Sequence, residues 1–225
     1  MSNCSNMASP ATPSNKPIRG AICTVHLQLP ALSPDAQRLF TDAALWPTRQ
    51  ALDTQLQQHF TLLEQELAAI SRGYAMDWPA GQDPSRGRMA RGESYRGHPY
   101  RLLDYPRNYV GQRFRVMRCL VVWGQHASAH IILKGTESHT WRQALQPALG
   151  LPTWAGWGLH TGADPWAWQP EQCQPLGEVS AAQWHQAQAQ EVWRLSHYWP
   201  LDSYPACWSE ALAAWAAACQ AWQGL

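Results

Sequence analysis

Apolar side chains recur at Leu52, Leu56, Phe60, Leu63, Leu67 and Ile70, in steps of three and four that align them on one stripe of a helix. The spacing predicts a helix near residues 48–70. Further along, the period shortens toward two. Tyr100 to Tyr105 is an extended run closed by Pro106, Phe114 to Trp123 is apolar on both faces, and Ser128 to Lys134 returns after a turn opened by Gly124. This predicts an antiparallel meander around residues 100–134, with its middle strand at the centre of the sheet because both of its faces need cover. A two-residue loop at Gln125-His126 pairs Arg118, Leu120 and Val122 with Leu133, Ile131 and Ala129, which sets the Arg118 guanidinium on an otherwise apolar face.

Additional strands are expected near 154–160 and 192–199. Ser180 caps a helix near 180–190, and Leu212, Trp215, Ala216, Cys219 and Trp222 share one face of a helix near 209–223. Ser33-Pro34 opens a short helix ending near Phe40, and Pro147 weakens another between Thr136 and Leu149. Residues 71–95 carry Gly, Pro, Asp and Arg with little periodicity and read as a long connection. Helices flanking an antiparallel sheet make the fold class α+β.

Residues 1–19 are rich in Ser, Asn, Pro and Ala and read as a disordered tail, which leaves 20–225 as a single domain that opens on an extended segment at 22–29. The chain is 45% hydrophobic, ample for a buried core. No window approaches the roughly 20 apolar residues of a membrane span, and the N-terminus has no apolar signal core, so a soluble cytoplasmic protein without a membrane partner is expected. The six cysteines are scattered, with no C-x-x-C pair, so no metal site is expected. Cys119 and Cys219 fall among apolar residues and read as small buried thiols.

Charge changes the picture more. Charged residues make up only 15% of the chain, against about 25% in an average soluble protein. Nine of the fifteen arginines lie between Arg86 and Arg118, a section holding only Glu93 and Asp104 as acids. Arginine's planar fork matches carboxylate and phosphate groups, so this section is either the footprint of an anionic ligand or a set of cations paired with acids elsewhere in the fold. A pI near 7.7 and the lack of any RRM, KH, helix-turn-helix or finger pattern weigh against nucleic acid as the partner. A small anionic molecule fits better.

Arg118 is the sharpest single residue, because a guanidinium among branched apolar side chains requires a partner. Asp104, in the preceding strand, and Glu93 are the nearest acids in sequence. The pair is either a buried structural ion pair or a site in which Arg118 binds a ligand anion while Asp104 orients it or acts as a base. His126 and His130 tempt a metal reading, but four residues of strand span roughly 13 Å, too far for one ion. His160 and Asp164 straddle a turn and supply only two ligands. No motif names a nucleophile, a phosphate loop or a cofactor.

Eleven of the 14 tryptophans follow position 140. Most belong in a core, while Trp154, Trp157, Trp166 and Trp168, in a Gly/Pro-punctuated stretch, either plug loops onto the sheet or line a cleft.

The run RGESYRGHPYRLLDYPR from Arg91 to Arg107, the R-x-x-x-x-W-G hairpin from Arg118 to Gly124 and the D-P-W at Asp164 to Trp166 resemble a family of uncharacterised bacterial proteins of about this length, over roughly residues 90–200. The resemblance brings no activity with it. The family pattern places a histidine in the second hairpin strand where this chain has Ile132, so no catalytic histidine transfers to that position.

These readings converge on a pocket for a small anionic or aromatic ligand where the Arg-rich segment meets the sheet, with Glu93, Asp104, Arg107, Arg118, Trp123, His130 and Trp166 as its candidate residues. The alternative is a protein-interaction module binding an acidic partner through the Arg-rich loop and exposed tryptophans. A concave site separates the first from a flat patch of the second.

Overall fold

In a computed structural model that describes residues 30–107, 113–135 and 138–225, nine consecutive residues, Phe114–Val122 (β3), are buried on both faces. That strand lies inside a seven-stranded antiparallel sheet of order β1-β2-β3-β4-β7-β5-β6. The others are β1 (Arg88–Tyr95), β2 (His98–Tyr105), β4 (His126–Lys134), β5 (Gly158–His160), β6 (Cys173–Pro175) and β7 (Val192–Trp199). The expected α+β architecture is present: the described residues form five α-helices in addition to the sheet.

The chain divides into two compact units, residues 1–45 and 46–225. In the first, α1 (Pro34–Thr41) starts where the sequence places it, with the Ser33 hydroxyl accepting from the Ala36 N–H at 3.2 Å. The tail expected at 1–19 and the extended segment at 22–29 lie outside the described residues. The second unit holds the sheet, α2 (Leu45–Gly73) from Trp46 onward, α3 (Ser138–Leu145), α4 (Ala181–Ala189) and α5 (Trp208–Trp222). Among the described residues no helix is long and apolar enough to cross a membrane.

The two faces of the sheet differ in chemistry. One carries Leu103, Met117, Cys119, Ala129, Ile131, Leu133 and Leu195 and packs in one continuous core with Phe60, Leu63 and Leu67 of α2 and Trp208, Trp215 and Trp222 of α5. Burying a leucine, methionine or phenylalanine side chain in this way stabilises the fold by about 1.5–3 kcal/mol. Two indoles of this core donate to acceptors within it, Trp215 to Ser71 Oγ at 3.1 Å and Trp222 to the Trp141 carbonyl at 2.9 Å.

Two expectations need correction. The β3–β4 hairpin turns through Trp123–Gln125, with the Gln125 N–H on the Val122 carbonyl at 3.1 Å and Gly124 in the left-handed region at φ +69°. Arg118, Leu120 and Val122 therefore pair with His130, Ser128 and His126, not with Leu133, Ile131 and Ala129. The shift is odd, so it exchanges faces. It sends Ala127, Ala129, Ile131 and Leu133 to the helix side with Met117 and Cys119, and gathers Ser128 and His130 beside Arg118. The long connection expected over 71–95 also ends early, because Arg88–Tyr95 forms an edge strand against β2. Its burial alternates irregularly around a bulge between Gly92 and Tyr95, which hides the period of two.

Candidate polar face and groove

On the face away from the main core, one row of paired positions crosses four strands: Asp104, Arg118, His130 and Ser196. All four are buried. The Arg118 guanidinium grips Asp104 through Nε and Nη2 at 2.6 and 2.9 Å, the two-pronged geometry that fixes both side chains. Its carbon lies 5.1 Å from the Trp168 ring and 5.6 Å from the Trp166 ring, so two indoles of one loop cover the charge.

His130 sits between two hydroxyls, with Nδ1 at 2.8 Å from Ser196 Oγ and Nε2 at 3.0 Å from Ser128 Oγ. Burial, followed by the guanidiniums of Arg194 and Arg118, holds its pKa well below the usual histidine value. It is a neutral ring relaying hydrogen bonds between serines. Arg194, one step along β7, donates to His160 Nδ1 at 2.6 Å and to the carbonyls of Pro165 and Ala167 at 2.5 and 2.7 Å. A guanidinium has only donors, so His160 Nδ1 accepts and its Nε2–H donates to the Asp164 carbonyl at 2.9 Å. Burial and Arg194 hold His160 down to about 4. This turn is therefore latched by hydrogen bonds to backbone, and His160 and Asp164 do not converge as ligands. Tyr95 completes the anchoring of the loop by accepting the Trp168 N–H at 2.8 Å.

Beside this loop opens a groove of about 490 Å³ lined by Tyr95, Arg96, His98, His126, Trp168 and Glu171. The β1–β2 turn supplies the first three, the start of β4 supplies His126, and the loop before β6 supplies the last two. His126 packs edge-on against Tyr198, ring centres 5.2 Å apart, and Tyr198 in turn stands edge-on to His130 at 5.5 Å. A run of rings thus leads from the groove to the buried row. Burial raises the Tyr198 phenol far above its usual range and lowers His126, so both are neutral near pH 7.

Four of the seven sequence-nominated residues meet on this face: Asp104, Arg118, His130 and Trp166. The other three do not join them. The Glu93 carboxylate pairs with Arg49, whose guanidinium lies 5.8 Å from the Trp123 ring and 5.2 Å from Trp46, at a smaller groove of about 220 Å³. Arg107 pairs with Asp83 at 3.3 Å, where an isolated bridge ties the loop after α2 to the end of β2. Asp104 is also unsuited to act as a base, since Arg118 occupies both of its oxygens and it is fully buried.

Sequence reasoning missed Arg194, Ser196 and Tyr198 as a set. The signal was available, because alternation in Val192–Trp199 puts these three on one face and Trp193, Leu195 and Trp199 on the other. It missed Arg115 too. That guanidinium lies within 5.4 Å of the Trp78, Trp141 and Trp222 rings, its Nη2 donates to the Asp77 carbonyl, and burial lowers it to about 10. Among the described residues no group of three or more His, Cys, Asp or Glu side chains is gathered where a metal ion could sit.

No family model matches the chain, and no curated protein or solved structure matches it significantly.

Proposed function

We propose that the protein binds a small anionic or aromatic molecule in the groove between the β1–β2 turn, the start of β4 and the tryptophan loop. The observation that carries this reading is the groove itself, walled by the rings of Tyr95, His98, His126 and Trp168. Its volume falls in the range of about 300–1,000 Å³ typical of small-molecule sites, and the tryptophan loop that forms one wall is anchored by Arg194 and Tyr95. Preorganisation of this kind lowers the ordering cost of binding. The acidic-partner reading has less support. Arg49 is paired with Glu93, Arg91 and Arg101 with Asp53, and Arg86 and Arg107 with Asp83, so each of these five cations already has an acidic partner, although the five share three carboxylates.

Chemical-shift mapping with indole and benzoate as probes tests the proposal. Shifts should cluster at Tyr95, His98, His126 and Trp168. Shifts confined to Trp46 and Trp123, or none at millimolar probe, would remove the groove from consideration.

A further inference from the structure

The two full charges on the lining of the groove, Arg96 and Glu171, come from different walls and have opposite signs. Among the described residues neither has an ion-pair partner, and they do not pair with each other. Elsewhere in the arginine-rich section, Arg86, Arg91, Arg101, Arg107 and Arg118 each meet a carboxylate. An isolated surface charge is ordinary, since water solvates it. Arg96 stands out because of its backbone.

Arg96 and Gly97 are the central residues of the β1–β2 turn, where Tyr95 pairs with His98, and both have positive φ, +52° and +87°. A hairpin turn of that form favours Asn-Gly or Gly-Gly, because an ordinary side chain crowds its own backbone in the left-handed region. A long cation held there stores strain that asparagine would relieve, and strain of this kind concentrates at ligand clamps. The rest of the groove presents rings held in fixed places. The Trp168 ring tilts against Tyr95 with centres 4.8 Å apart, and its backbone N–H donates to the Tyr95 hydroxyl at 2.8 Å. His98 Nε2 accepts from Gln125 Nε2 at 3.1 Å, which ties the β1–β2 turn to the β3–β4 turn. The Glu171 carboxylate opposes part of the lowering that burial imposes on His126, which puts the acid on the His126 side of the groove.

Resting on the groove reading above, we propose that the ligand is an aromatic amino acid in its zwitterionic form, with its ring against Trp168 and His126, its carboxylate on the Arg96 guanidinium and its ammonium on the Glu171 carboxylate. Arg96 and Glu171 are exposed and Trp168 and His126 half-buried, so a molecule in the groove reaches all four. A guanidinium matches a carboxylate through two parallel hydrogen bonds, and an indole or imidazole face takes a flat ring. The zwitterion meets both charges at once, whereas a lone acid or a lone amine leaves one of them unmet.

Probes that share one ring and differ in charge test this. Tryptophan carries both charges, tryptamine lacks the carboxylate, indole-3-propionate lacks the ammonium and indole lacks both. In ligand-observed NMR titrations at pH 7, tryptophan should bind about fivefold more tightly than either singly charged probe, the scale of one exposed ion pair. Arg96→Asn should bring tryptophan down to the affinity of tryptamine with the melting temperature unchanged or raised, because asparagine suits the turn better. Glu171→Gln should bring it down to that of indole-3-propionate with the melting temperature within error. Tryptophan binding no more tightly than either singly charged probe would overturn the zwitterion and leave the groove standing. Unchanged tryptophan affinity in Arg96→Asn or Glu171→Gln, or a melting temperature lowered by many degrees in either, would overturn the assignment of that charge to the ligand. Failure of every probe to bind, indole included, would remove the groove reading together with this one.

Discussion

Arg118 donates two hydrogen bonds to the Asp104 carboxylate in a buried setting, so each is the other's replacement for water. Removing one partner strands the other charge. Arg118→Met is expected to cost about 3–5 kcal/mol in urea unfolding, and adding Asp104→Leu should restore much of that loss. If the single and double variants are equally unstable, the pair is not what holds these positions. The sequence made Arg118 conspicuous because a cation stood out among Val, Leu and Cys, and Asp104 followed as the nearest acid. Its neighbours could not be read in the same way, since whether Arg118 pairs with Leu133 or His130 depends on where the hairpin turns and on a turn one residue longer than expected. Arg115 was hidden for another reason. Its cage combines Trp78, Trp141 and Trp222, three residues far apart in sequence that only the helix packing brings together.

At the scale of elements, strong periodicity was legible and weak periodicity was not. The stripe from Leu52 to Ile70 announced α2, and the Ser180 cap with Gln183 announced α4 through a reciprocal capping box. β1 escaped because an edge strand exposed on one side and bulged at Gly92 to Tyr95 shows no clean alternation. β5 and β6 are three residues each, too short to carry a pattern. The stripe on α2 supplies a prediction of its own. Leu67 is fully buried against the sheet, so Leu67→Ala should destabilise by about 2–5 kcal/mol, whereas the same change at exposed Leu62 should stay within about 0.5 kcal/mol. Similar losses at both positions would mean that α2 does not pack through this stripe.

For the whole molecule, five of the nine arginines concentrated in one section are engaged in pairing with acids. Asp53 takes Arg91 and Arg101, Asp83 takes Arg86 and Arg107, and Arg118 takes Asp104, so five of the nine arginines meet acids from three parts of the chain. Linear charge counts cannot anticipate this, because the acids of α2 and of the following loop reach the section only once the sheet forms. The buried imidazoles have a further consequence at this scale. His160 is held near 4, and His126, His130 and His197 also lie below the usual value of 6.5, each chiefly through burial. Below about pH 6.5 the unfolded chain takes up protons that the folded chain refuses, so stability is complete above that pH and falls as pH drops toward 4. Each such proton steepens the loss by about 1.4 kcal/mol per pH unit. Urea midpoints should decline from pH 7 to pH 4.5, and a flat profile would show that these rings are open to water.

The groove over the polar face is the central claim, and a crystal structure grown with benzoate tests it most directly. Density for a planar molecule between Trp168 and His126 is the expected result. Benzoate bound beside Trp46 and Trp123, or an undisturbed groove at saturating benzoate, would contradict it.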